Sequence, residues 1–353
     1  MSAREGRSGA PERAGGADLV GVLVLGACAG WSLVSAVGRE ARPEGVLLAV
    51  LAVAAGYALG RISGGLVPVA AATAAALAGL VVALASRDGV PGATVDPLPG
   101  HIGVSAALPV LAAGGACCAA WAARTAALRL ALRLLAVGCA GVALALGSVA
   151  GCAAALGVLL CSLAAARMRR RAVGLAGLAA VTALVAVGSV AVAEDALPSG
   201  LTVSLQGQLT PERVLLWRDA VDLAEKHPVR GTGPDRFGGF SPAAQRSALT
   251  TGKPHSALLQ QASEQGVVGA GLLSAAYGWM LYGLWRSPRP TAVVLTAGAA
   301  LTALAAFACV GNALSFTPVT MGAGLLAGLA TARPPGDGRP EPDREAGVVR
   351  ARG

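Results

Sequence analysis

Ten stretches of this chain are apolar over about the length that a helix needs to cross a bilayer: 18–38, 45–60, 65–86, 102–123, 131–147, 150–166, 172–193, 266–285, 291–311 and 315–332. A hydrocarbon core about 30 Å thick takes roughly 20 helical residues. Lipid offers backbone N–H and C=O groups no partner, so such runs must satisfy their hydrogen bonds internally, as helices. The expected fold is therefore an all-α integral membrane protein of about ten transmembrane helices. Seven spans (18–193) and three spans (266–332) flank one long polar stretch, 194–265, read as a large loop containing short helices. The region 131–166 admits two readings. Gly147, Ser148 and Gly151 suggest a tight turn between two short spans, whereas one long tilted helix would invert everything downstream.

Composition agrees with the membrane reading. The chain of 353 residues is 55% apolar and only 13% charged, against about a quarter charged in soluble proteins. An ordinary soluble enzyme is excluded, and so is a disordered chain, which would be poor in apolar residues. The net charge of +9 raises the question of nucleic acid, but placement answers it. With the N-terminus inside, 18 basic residues fall in inside segments: Arg4, Arg7, Arg13, Arg61, Arg124, Arg129, Arg133, Arg167, Arg169, Arg170, Arg171, Arg286, Arg289 and five after residue 332. The short outside loops hold only Arg39, Arg42 and Arg87. Cytoplasmic loops collect Lys and Arg, while long loops cross largely regardless of charge. The charge thus reads as topology, with both termini cytoplasmic, 194–265 extracytoplasmic and no nucleic-acid partner. Residues 1–17 and 333–353 read as disordered cytoplasmic ends. All seven cysteines lie in apolar spans and read as small apolar residues, and no His/Cys/Asp cluster has metal-ligand spacing. Trp279, Tyr282 and Trp285 fit an interfacial aromatic belt.

The polar stretch holds most of the remaining chemistry. Thr210-Pro211 opens a helix with an N-cap and proline at the first position. Val214, Trp217, Val221 and Leu223 recur at helical spacing, and the helix ends before Pro228. Arg213 lies in the first turn, where the helix dipole gives a cation no advantage, so it is expected to answer to something else, such as an anion. Asp222 and Lys226, four apart, read as an ordinary solvated pair. His227-Pro228-Val229-Arg230-Gly231-Thr232-Gly233 follows, where two glycines allow a tight turn. It matches neither a Walker loop nor a dinucleotide fingerprint. Next comes Lys253-Pro254-His255-Ser256, with His255 expected on the first turn of a helix that leads through Glu264-Gln265-Gly266 straight into the eighth span.

Taken in order, these blocks are Arg and Trp, Pro-x-x-Gly-x-Gly, His-Ser-x-x-Leu-Gln and Glu-x-Gly-x-x-Gly. The series resembles the large periplasmic loop of the O-antigen ligase and polymerase family of bacterial polysaccharide enzymes. The resemblance implies metal-independent glycosyl transfer at the outer face of the cytoplasmic membrane, with no cofactor. The donor it implies is a glycan on a polyprenyl diphosphate, and the acceptor a glycan or lipid-linked glycan. Carried onto this sequence, His255 corresponds to the histidine that engages the acceptor hydroxyl as base, and Arg213 to the arginine on the donor diphosphate. Arg218, Arg230, Gly231 and Gly233 are the further substrate-binding candidates. Two departures stand out: Val149 occupies the place of an arginine in the family's Ser-Arg-Gly pattern, and Ser256 replaces an asparagine. The alternative class is a non-catalytic scaffold or transporter component of a polysaccharide export assembly.

Overall fold

The computed structural model describes residues 9–86, 102–168, 170–194, 211–246 and 252–333. Among these residues every regular element is helical: α1 (Gly9–Ala36), α2 (Glu44–Leu66), α3 (Pro68–Ala85), α4 (Ile102–Ala122), α5 (Ala126–Ala145), α6 (Val149–Ala165), α7 (Arg171–Ala193), α8 (Pro211–Lys226), the short α9 (Phe237–Phe240) and α10 (Pro242–Arg246), α11 (Ala257–Arg286), α12 (Thr291–Val310) and α13 (Thr317–Thr331). Eight helices are long and apolar enough to cross a membrane, while α6 and α13, with 17 and 15 residues, are shorter apolar helices. Ten apolar helices therefore coincide with the ten runs, and the chain is a multi-pass membrane protein. Thr210, Arg87 and the tail from 334 lie outside the described residues.

The ambiguity at 131–166 resolves into two helices. α5 closes in a Schellman motif: Ser148 N donates to Ala143 O at 2.9 Å and Gly147 N to Leu144 O at 2.9 Å. Gly147 sits at φ +79, a left-handed position that glycine takes without steric cost. Ser148 then caps α6, its Oγ accepting Gly151 N at 3.0 Å.

Two sequence boundaries need correction. α1 extends back to Gly9, beyond the start of the first apolar run at 18. Ala10, Glu12, Arg13 and Ala14 favour helix, and Pro11 falls in the first turn, where its missing N–H forfeits no helical bond, against a cost of about 1 kcal/mol each for Gly15 and Gly16. The second span does not stop at 60. α2 continues through Arg61, whose charge is met by Asp18 at 3.0 Å, and yields only at Val67, which Pro68 pushes out of the α region.

The core is built on α4 and α12, buried on nearly every face from Ala106 to Ala120 and from Ala292 to Leu301. α1, α2, α3, α5 and α7 surround them and present exposed Leu, Val and Ile outward, as expected where the surrounding solvent is lipid. Between α2 and α13 the packing is backbone to backbone. A Cβ on Gly56 would lie 2.2 Å from Met321 O, on Gly60 2.3 Å from Leu325 O, and on Gly328 2.2 Å from Tyr57 O. Small residues at four-residue spacing allow this approach, and in lipid such van der Waals contact, not the hydrophobic effect, holds helices together. Gly328→Leu is expected to drive α2 and α13 apart at a cost of about 1–3 kcal/mol, by analogy with overpacked cores. Thermal unfolding in detergent should show a lowered midpoint, and an unchanged one would refute the account.

At the end opposite the polar stretch, arginines bond helix termini across the bundle. Arg171 donates to Ser287 O at 2.6 Å, and Arg289 to Gly64 O at 2.6 Å and Ala332 O at 2.8 Å. Trp279 is buried there, its Nε1 donating to Ala17 O at 2.9 Å and its ring 4.9 Å from that of Tyr57. It fastens α1 to α11 and does not belong to an aromatic belt, whereas Trp285 remains exposed.

Candidate functional site

Residues 211–246 and 252–265 fold as a small cap with its own core. Leu216, Trp217, Ala220, Leu223, Phe237 and Leu259 are buried together, with Val190, Val192, Ala193 and Val310 packed against them from the ends of α7 and α12. Trp217, 1% exposed, is thus the anchor of the cap and not a platform for sugar. Asp219 ties the cap internally: its carboxylate accepts Ser241 Oγ at 2.6 Å and Ala243 N at 2.9 Å, fixing the start of α10. The sequence reading gave Asp219 no such role. Lys226 pairs with Asp222 at 2.6 Å on the exposed face, as the i,i+4 spacing predicts.

α11 does not run straight into the membrane. It breaks at Gly266, whose φ of 71 and ψ of −170 are not helical. Such a break frees carbonyls from the helical ladder, and buried ones need new partners. The loop 228–233 and α1 supply them. Thr232 N donates to Ser263 O at 2.9 Å, Gly233 N to Glu264 O at 2.8 Å, and Trp31 Nε1 to Gln265 O at 2.9 Å. In return Val267 N donates to Pro228 O at 2.8 Å. The contact is so close that a Cβ on Gly231 would lie 2.3 Å from Glu264 C, and one on Gly266 2.2 Å from Val229 O. The Gly-x-Gly turn is therefore shaped to clasp α11. Its N–H groups are directed inward, Gly231 N donating to His227 O at 3.0 Å.

His255 lies before the helix, not on its first turn. Ser256 is the N-cap, its Oγ accepting Leu259 N at 3.4 Å, and His255 precedes it in the left-handed region at φ +53. A non-glycine residue there costs of order 1 kcal/mol or more and persists only where the surroundings impose it. Here Gly252 at φ +67 and buried Pro254 lead the chain into that turn.

Arg213 from α8 stands within electrostatic reach of His255, as does Lys253. Its Nη1 donates to Val310 O at 3.3 Å, at the C-terminus of α12, where the helix dipole favours a cation. The arginine thus answers in part to a helix end, and a guanidinium has five N–H donors to share. Burial, with Arg213 and Lys253 adding positive charge, holds the His255 imidazole below its usual value. Burial likewise lowers Arg213 from the ordinary arginine range. The imidazole is therefore neutral at neutral pH and able to accept a proton, beside a cation suited to an anionic leaving group.

Glu264, 2% exposed, joins this cluster to the clasp. Its carboxylate accepts Gln260 Nε2 at 3.3 Å and the backbone N–H of Asp235, with Lys253 within electrostatic reach. The motif had flagged Glu264 without giving it a role. The remaining expected site residues divide. Arg218 is exposed on α8, whereas Arg230, Gly231 and Gly233 lie on the clasping loop. Arg230 Nη2 donates to Val34 O, and to Val37 O at 3.3 Å, at the end of α1. Val149 projects from the first turn of α6, 71% exposed. No group of three or more His, Cys, Asp or Glu side chains is placed to hold a metal ion among the described residues.

The class that the fold defines is a multi-pass helical membrane protein bearing a polar cap, with a histidine and an arginine within electrostatic reach of each other where the cap meets the bundle. The comparison with known families is specific. The O-Antigen ligase family model matches residues 134–274, from α5 to beyond the break in α11, a stretch that includes Val149, Arg213, Arg218, Arg230 and His255. Over that stretch the chain is O-antigen ligase-like. No curated protein matches it.

Proposed function

We propose that the protein transfers a glycan from a polyprenyl diphosphate to a glycan or lipid-linked glycan acceptor at the outer face of the cytoplasmic membrane. The observation that carries this reading is that Arg213, 42 residues from His255 in sequence, comes within electrostatic reach of it at the base of the cap. His255 removes the acceptor hydroxyl proton as that oxygen attacks the anomeric carbon. The bond from that carbon to the diphosphate oxygen breaks, and Arg213 neutralises the charge gathering on the departing diphosphate. Glu264 and the Gly231–Gly233 turn hold the cap in register, while Arg218 supplies further positive charge around the donor.

The test is transfer by the full chain in proteoliposomes, using polyprenyl-diphosphate glycan and acceptor, followed across pH. A base whose conjugate acid is held low works once pH exceeds that lowered value. The acidic limb of kcat/KM is therefore expected below the ordinary histidine value of about 6.5. Arg213→Gln removes a positive neighbour, so the limb should move toward higher pH as the maximal rate falls. A limb that does not move would refute the pairing. The second reading, an inert scaffold, is favoured by Val149 in the place of a family arginine, and it predicts no transfer by the native chain.

A further inference from the structure

The α1–α2 turn and the loop around Gly233 bring Arg39, Arg230 and Arg236 within electrostatic reach of one another. Arg39 Nη1 donates to Gly231 O at 2.7 Å and Arg230 O at 3.3 Å, and Arg42 N donates to Pro234 O at 3.1 Å, so the turn is bonded to the loop. Arg39 and Arg236 flank the bare face of Gly233. A Cβ there would lie 3.4 Å from Arg39 Cδ and 3.2 Å from Arg236 Cδ. The Arg236 guanidinium lies over the Phe240 ring, 4.9 Å from its centre. Burial, then the charges of Arg230 and Arg236, lower Arg39 from the ordinary arginine range. Arg230 Nε is buried without a hydrogen-bond partner. The nearest carboxylates in sequence, Glu40 and Asp235, are exposed, and neither pairs with these arginines among the described residues.

Like charges gathered without a counter-charge are unfavourable, and the geometry that gathers them is fixed by backbone bonds. We infer that Arg39, Arg230 and Arg236 form a phosphate-binding site for the head group of a membrane lipid. Guanidinium groups fork onto phosphate oxygens, and the bare backbone of Gly233 lets the stems of Arg39 and Arg236 close in beside each other. The site lies where α1 ends and α2 begins, at the end of two apolar helices long enough to span a bilayer. Polyprenyl phosphate and an anionic glycerophospholipid such as phosphatidylglycerol both carry a phosphate whose negative charge, unlike that of phosphatidylcholine, is not cancelled within the head group. The inference rests on the extracytoplasmic placement of the cap proposed above, but not on the transfer chemistry.

The experiment places the full chain in phosphatidylcholine nanodiscs doped with polyprenyl phosphate or with phosphatidylglycerol, and measures retained lipid by native mass spectrometry. The native protein should retain a phosphate-bearing anionic lipid over phosphatidylcholine. Arg39→Gln with Arg236→Gln should weaken that retention about tenfold or more. Arg236→Gln alone, which keeps the Arg39 bonds to the loop, should weaken it in the same direction, and lysine at both positions should restore part of it. Preference for polyprenyl phosphate assigns the site to the isoprenoid lipid, and equal retention of both dopants assigns it to anionic lipid in general. Either result supports a phosphate site. No preference over phosphatidylcholine, or unchanged retention in the glutamine variants, would overturn it. His255→Asn should leave retention unchanged, so failure of the transfer reading is distinguishable from failure of this one.

Discussion

His255→Asn is expected to lower glycan transfer by about a hundredfold to ten-thousandfold, the usual contribution of a positioned general base, while leaving thermal unfolding nearly unchanged. Asparagine is the informative replacement because of the backbone at this position. His255 sits at φ +53, and asparagine tolerates the left-handed region better than most residues. His255→Ala would mix loss of the imidazole with a change in turn preference. Asparagine keeps a side chain that can hydrogen-bond but cannot accept a proton near neutrality. If the variant transfers at the native rate while inserting and folding normally, His255 is not the base. Retained transfer with a shifted pH limb would mean that another group carries the proton.

Gly266→Ala should have the largest structural effect of any single methyl addition in the cap. The residue holds φ 71 and ψ −170, a region essentially closed to side chains and costing about 1–3 kcal/mol to enter. The added carbon would also lie 2.2 Å from Val229 O and 2.6 Å from Pro228 O. Neither obstacle is a flexible side chain, so the clasp between residues 228–233 and α11 must open. The expected result is loss of transfer together with faster proteolysis of the cap, while the membrane helices stay protease-resistant. Gly239→Ala, where a Cβ would meet nothing within 4 Å, is the matched control. Equal proteolysis of the two variants would refute the proposed role of Gly266.

The membrane helices were legible because lipid leaves little choice: a buried backbone without water must be helical, and the runs say where. The turn after α5 was legible for a similar reason, since Gly147-Ser148 can complete a Schellman ending and then cap the next helix. The break in α11 was not. Glycine is ordinary in membrane helices, and only the loop pressed against it shows why residue 266 departs from helical geometry. The placement of Arg213 beside His255 was legible only through the motif order, since no local pattern joins α8 to the chain before α11. Arg39 was counted as a topology charge, because nothing near it in sequence announces Arg230 and Arg236. Trp279 was misplaced because periodicity shows that a ring lies near a helix end, but not whether a neighbouring helix covers it.

The two glycines of the clasp, Gly231 and Gly266, meet main chain with main chain. Elsewhere in a core, a bulkier residue at one place can be absorbed by a smaller one opposite. Here there is nothing opposite left to trim, so neither position has a compensating partner. Sequence drift in the cap must pass around this point, and a lineage that loses either glycine has to rebuild the junction between cap and membrane by another route.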